Sequence, residues 1–185
     1  IPITKQPTSG SFCRFPTVVS GATVLKPIRV TMDAMDNHPH HPVDDLARIL
    51  SYHDAIDDSA SVHEVASEMY AMSCWTPEFC AALIRAADLV GGYTSHESDP
   101  VPGQEISLAA ISPSLFEAVQ NDMGMRIWPQ LQQHWPLIDY HGINDAFIIR
   151  YEVGGQEELR IHHDVAQVSA SVKLNNDYTG AELQF

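Results

Sequence analysis

Cations are scarce in this chain. Its 185 residues carry 10 Lys and Arg against 24 Asp and Glu, a formal net charge of −14 at pH 7. That balance excludes bulk electrostatic attraction to nucleic acid or to an anionic membrane surface. It suits an acidic soluble surface and is compatible with a neutral or cationic substrate. Cysteine is scarce too. Cys13, Cys74 and Cys80 are the three, too few and too scattered for a disulfide framework. A reducing, cytoplasmic setting fits them best. Cys80 stands among apolar residues and is expected to be a buried thiol. No run of roughly 18 apolar residues occurs, so no transmembrane helix is expected. Residues 1–20 lack a charged stretch followed by an apolar core, so no signal peptide is read. HExxH is absent as well, which removes the usual helical zinc-hydrolase motif.

What is present falls into stretches with different periods. Residues 1–42 are rich in Pro, Thr, Ser and Gly, with strands expected at Thr17–Leu25 and Ile28–Met32. His38, His40 and His41 stand close enough to bind a metal. The interleaved Pro39 and Pro42 keep them extended, and a solvated loop is the better expectation. Over 43–60, Leu46, Ile49, Leu50, His53 and Ile56 recur at helical spacing. Asp44 and Asp45 stand at the N-terminal end, where the helix dipole favours them. Thr76-Pro77-Glu78 reads as a cap, a first-turn proline and a first-turn acid. Phe79, Leu83, Ile84, Ala87 and Val90 then form an apolar face, and Gly91-Gly92 stops the helix. The stretch 93–103 reads as a loop. Ser112-Pro113 repeats the cap for a second helix, with Leu115, Phe116, Val119, Met123, Ile127, Leu131 and Trp135 on its buried side. Gly124 and Pro129 predict a break in it. Trp128 and Trp135 are expected in the core. His134 and His141 read as surface or packing residues without a metal role.

From Asp145 to Val153 the residues are strand formers, ended by Gly154-Gly155. Val165 to Leu174 alternates: Val168, Ala170, Val172 and Leu174 on one face, Ser169, Ser171 and Lys173 on the other. Asn175–Gly180 is a turn signal, with Asn175 serving the turn. Between these runs stands His162-His163-Asp164. On an extended strand, residues two apart project to the same face. His162 and Asp164 would then supply two of the three ligands of a 2-His-1-carboxylate Fe(II) centre, while His163 points away. The tripeptide alone is common by chance; its surroundings give it weight.

Those surroundings, from about Met69 to Phe185, resemble the 2-oxoglutarate/Fe(II)-dependent dioxygenases of the prolyl- and lysyl-hydroxylase type. They are most similar to the procollagen lysyl hydroxylase catalytic domain. Trp75–Ile84 resembles the family's opening helix and Phe147–Tyr151 the strand before the ligands. His162-His163-Asp164 resembles the metal pair, and Leu174-Asn175 the end of the next strand. Tyr178-Thr-Gly-Ala-Glu-Leu-Gln-Phe185 resembles a "Y-E-G-G-x-x-x-F" motif, with Ala181 in place of its second Gly. The resemblance implies an α+β fold: a double-stranded β-helix (jelly-roll, cupin-like) barrel over residues 67–185, with supporting N-terminal helices. Residues 1–66, an extension with one helix, lie outside the resemblance; a packing support for the barrel is the better expectation than a lid or an oligomer contact. The family's second His and its Arg or Lys for 2-oxoglutarate lie on later strands. No His follows His163, so the chain is expected to stop part-way through the barrel at Phe185. Its first residue, Ile1, is expected to follow a trimmed start.

The resemblance further implies roles. His162 and Asp164 would hold Fe(II), 2-oxoglutarate would chelate it, and O₂ would take the last position. Succinate and CO₂ would be released as an unactivated C–H is hydroxylated, with ascorbate supportive. Tyr151 matches a residue near 2-oxoglutarate; ordinary packing with its hydroxyl at the rim accounts for it equally. Lys173, with Ser171, would face the site and bind the distal carboxylate, since a Lys inside a barrel needs an anion. An exposed Lys at a strand end is the even alternative. Leu183 should line the same pocket, and Arg150 and Arg160 the outer surface. The substrate would be an amino-acid side chain, free, in a peptide or in a natural-product intermediate, with lysine or proline leading. Two other classes remain: a catalytically inactive binding or regulatory module on the same fold, and a zinc hydrolase using His162, His163 and Asp164. Substrate identity and oligomeric state are not legible.

Overall fold

A short oxygen-bearing residue in the β region, followed by proline, is a strong helix start. The Thr76 hydroxyl oxygen accepts the Phe79 N–H at 3.4 Å, and helix α2 runs Pro77–Val90. Gly91 ends it at φ +65°, returning its N–H to Ala87 O at 2.9 Å. Phe79, Leu83 and Ala87 are buried, but Val90 is exposed, because the last turn outruns the surface beneath it. The structure, a computed structural model, describes residues 10–17, 22–24, 42–58, 61–94, 101–164 and 166–180. The expected strand Ile28–Met32, the histidines His38, His40 and His41, and Leu183 lie outside them.

Helix α1 (Pro42–Leu50) turns a different face inward from the one its leucines suggest. Asp45, Ile49, Tyr52 and Ala55 are buried, while Leu46 is 40% and Leu50 59% exposed. Asp45 decides this. Its Oδ1 accepts from Arg85 of α2, Nε at 3.0 Å and Nη2 at 2.9 Å, and a buried carboxylate needs such a partner. The helix also stops early. A 3-10 turn covers Tyr52–Ala55, and Ile56 bridges to Trp75. Ile49, Tyr52 and Ala55 share one core with Leu83, Leu115 and Ile148, so this segment packs as a support for the rest.

The second helix starts where its cap predicts. Ser112 Oγ accepts from Leu115 N at 3.3 Å, and α4 runs Pro113–Asp122 behind a short α3 (Leu108–Ile111). The expected break is a π turn over Met123–Ile127, continued by α5 (Trp128–Leu131). Pro129 offers no N–H and crowds the carbonyl four residues back; a widened turn relieves both. Leu115, Val119, Met123, Ile127, Leu131 and Trp135 are all buried. Gly124 is fixed by close approach. A Cβ there would meet Tyr140 Cε1 at 2.8 Å, and that ring is held by its hydroxyl donating to Gln120 O at 2.8 Å. Gly124→Ala is therefore expected to destabilise by about 1–2 kcal/mol, the clash exceeding the helix propensity gained. A lowered urea midpoint checks this.

Among the described residues, seven strands form one mixed sheet in the order β3-β4-β2-β7-β1-β6-β5. They are β1 (Gly10–Thr17), β2 (Ala22–Val24), β3 (His63–Ala66), β4 (Met69–Ala71), β5 (Glu105–Ser107), β6 (Phe147–Tyr151) and β7 (Val168–Lys173). Of the strand expected at Thr17–Leu25, Thr17 ends β1, which starts earlier, and Ala22–Val24 form β2, while 18–21 and Leu25 lie outside the described residues. The β3–β4 hairpin turns at Glu68 with φ 58° and carries no Gly or Asn to announce it. The fold is α+β, and no closed barrel is present among the described residues. No helix among them is long and apolar enough to cross a membrane.

Cys74 and Cys80 are free, buried thiols. Burial pushes Cys80 from an ordinary 9.0 up to about 12, and Cys74 also rises. The unfolded chain releases these protons above about pH 9 while the native state keeps them. Stability from this source is complete below pH 9 and falls as pH rises, by about 1.4 kcal/mol per pH unit for each thiol. Urea midpoints at pH 8 and 10.5 should show the fall, reduced in Cys80→Ala.

Candidate metal centre

Strand alternation does not align His162 with Asp164, contrary to the expectation from sequence. Residues 152–164 carry no ladder and run as irregular chain after β6. Glu152 N–H donates to Gln156 O at 2.8 Å and Gly155 N–H to Glu152 O at 3.0 Å, closing a turn in which Gly154 takes φ +81°. Beyond that turn Gln156, Leu159, His162 and Asp164 are half-buried, and Glu157, Glu158, Arg160, Ile161 and His163 are exposed.

The two side chains nonetheless converge. His162 Nε2 stands 3.1 Å from Asp164 Oδ1, with the side chains 19% and 21% exposed. His162 Nδ1 lies 2.8 Å from Arg160 O. A carbonyl only accepts, so Nδ1 carries a hydrogen, and in the neutral ring Nε2 keeps its lone pair. Two lone pairs at this distance repel unless a proton or a cation stands near both. Two cis donors at about 2.1 Å from one metal, at about 90°, would be about 3 Å apart. The second imidazole N–H held by a backbone carbonyl is also the arrangement that orients metal-binding histidines. Imidazole plus carboxylate suits Fe(II), and the pair fits two sites of a facial triad. Among the described residues, no group of three or more His, Cys, Asp or Glu could hold a metal.

The sheet gathers other candidates. Phe12 is paired with both Ile149 and Lys173, and Arg14 with both Phe147 and Ser171. Paired residues in antiparallel strands share a face. Tyr151, two beyond Ile149, therefore shares a face with Ser171 and Lys173. Val168, Val172 and Ile148 occupy the opposite face and are buried in the core. Lys173 Nζ lies 4.7 Å above the Tyr178 ring, so its charge meets an aromatic face across the turn. Asn175 Nδ2 donates to Asp177 Oδ1, closing that turn as expected.

Arg150 lies on the sheet face opposite the candidate residues, its side chain 29% exposed. Alternation turns it away from Tyr151 and toward α2, where it pairs with Asp88. Its guanidinium lies 4.1 Å over the Tyr93 ring. Arg160 and His141 are exposed, and exposed His134 stacks on Tyr70 at 4.1 Å. Trp128 and Trp135 stack in the core, 6.4 Å apart. A groove of about 330 Å³ beside α1 is lined by Arg48, Ser51, Asp54 and Phe79 and includes none of the candidate residues.

Two contacts were not visible in the sequence. Gln156 reaches back to the end of the β5–β6 ladder, and Tyr178 folds under Lys173. Both contacts cross turns, where no residue period applies. Comparison with protein-family models, curated proteins and solved structures found no match for this chain.

Proposed function

We propose that this chain is a 2-oxoglutarate- and Fe(II)-dependent oxygenase on a jelly-roll scaffold, working in a reducing cytoplasmic setting. It hydroxylates an unactivated C–H of an amino-acid side chain, free, in a peptide or in a natural-product intermediate. The observation that carries this reading is the convergence of His162 and Asp164 to 3.1 Å, with Nδ1 of His162 committed to Arg160 O. These two residues hold Fe(II), and a third protein ligand lies outside the described residues. When bound, Fe(II) with 2-oxoglutarate supplies O₂ activation coupled to release of succinate and CO₂. The polypeptide supplies binding and orientation. Lys173 offers a cation to the distal carboxylate of 2-oxoglutarate, and Ser171 and Tyr151 offer hydroxyl donors from the same sheet face. The net charge of −14 favours a neutral or cationic substrate, lysine or proline first.

The test is succinate production by the protein expressed from its complete gene, with 2-oxoglutarate, Fe(II), ascorbate and a panel of amino acids and short peptides. Turnover that vanishes in Asp164→Ala supports the oxygenase, and stimulation by one amino acid identifies the substrate. No turnover by protein that binds the metal overturns the catalytic reading in favour of an inactive binding or regulatory module.

A further inference from the structure

No ladder holds the chain segment that carries His162 and Asp164, so something else must. We infer that Gln156 is a positioning residue for the metal pair, the strut that seats this loop on the end of the sheet. The inference rests on the metal-site reading above.

Gln156 bonds in two directions. Its backbone carbonyl accepts the Glu152 N–H at 2.8 Å, which closes the turn after β6. Its side-chain Oε1 accepts the backbone N–H of Gln104. Gln104 in turn accepts the Arg150 N–H at 2.9 Å, one step beyond the last β5–β6 pair, Glu105 with Ile149. The amide oxygen of Gln156 thus extends the ladder at the point where the main chain leaves it. Buried Gly103 forms the seat. A Cβ there would lie 3.6 Å from Gln156 Nε2 and 3.7 Å from Leu159 Cδ1, so both loop residues rest against bare backbone. Between Glu152 and Asp164 only Gln156, Leu159, His162 and Asp164 are turned partly inward. The first two anchor, and the last two converge.

Arg160 lies between anchor and ligand, and its carbonyl fixes the His162 ring. Loss of the anchor frees that carbonyl and lets the ring leave Asp164. Only the oxygen of the Gln156 amide is engaged; Nε2 is buried without a partner. A glutamate keeps the acceptor and discards that donor, whereas a leucine removes the acceptor.

The experiment measures Mn(II) binding by the full-length protein, from the loss of the free-ion electron paramagnetic resonance signal, in native, Gln156→Leu and Gln156→Glu forms. Mn(II) serves as a redox-silent probe for Fe(II). Urea midpoints and the ¹⁵N signature of the His162 tautomer are recorded without metal. Gln156→Leu should weaken Mn(II) binding by about tenfold or more, the scale of outer-shell losses, and scramble the single Nδ1–H tautomer. Gln156→Glu should restore both. Native-like binding and tautomer in folded Gln156→Leu overturn the strut while leaving the metal site standing. So does failure of folded Gln156→Glu to restore binding. No Mn(II) binding by the native protein overturns site and strut together.

Discussion

Arg126→Ala is expected to lower the unfolding free energy by about 3–5 kcal/mol, the scale for breaking one partner out of a buried ion pair. Arg126 sits in the π turn, its side chain 16% exposed, against Asp122 at 10%. The pair is bidentate, Nε to Oδ1 at 2.7 Å and Nη2 to Oδ2 at 2.6 Å. Tyr52 donates its hydroxyl to the same carboxylate at 2.8 Å and accepts from Trp75 Nε1 at 2.7 Å. Alanine would leave Asp122 with Tyr52 alone in a site that cannot hydrate it. The third arm of Arg126 reaches Asp58, whose side chain is 66% exposed, at 2.8 Å. Solvent screens that arm, so Asp58→Ala should cost less than about 1 kcal/mol. Arg126→Met combined with Asp122→Leu should recover most of the loss, because no charge is left stranded. Urea unfolding of the four forms checks the pattern. Equal small effects for Arg126→Ala and Asp58→Ala would show that the buried arm contributes nothing.

The second large effect concerns the metal. Asp164→Ala and His162→Ala should each weaken Mn(II) binding by more than about 100-fold, beyond the range for outer-shell partners. Each removes half of the pair that stands 3.1 Å apart. Folding should survive, since a partly exposed pair contributes about 0–1 kcal/mol at most. His163 is the control. It is adjacent in sequence but exposed, so His163→Ala should bind like the native protein. A loss in His163→Ala as large as in His162→Ala would point to a nonspecific histidine cluster and sink the assignment.

Local chemistry explains what was legible beforehand. The starts of α2 and α4, the stop at Gly91, the break near Gly124 and the strands β6 and β7 follow from caps, glycines and residue periods. These act over a few residues and need no partner. The inner and outer faces of β7 are equally local, being set by alternation. The pairing of His162 with Asp164 was anticipated for a local reason that did not operate, since the chain there is not extended in a sheet.

The remaining features depend on residues far apart in sequence. Asp45 faces inward because Arg85, forty residues on, lies opposite, and that pairing rotates α1 against its own leucines. Arg150 is paired because alternation aims it at Asp88 of α2 and at Tyr93 just beyond that helix. Gln156 matters because Gln104 and Gly103 lie beneath it. By itself, then, the sequence determined where α2 and α4 begin, where α2 stops, where β6 and β7 lie and which face of β7 is apolar, and it named the residues proposed to carry the chemistry. Only the tertiary structure decided which charges are buried and what seats the loop that carries His162 and Asp164. A buried charge or an unladdered loop is stable only with a specific partner, and the sequence does not state which partner folding will bring.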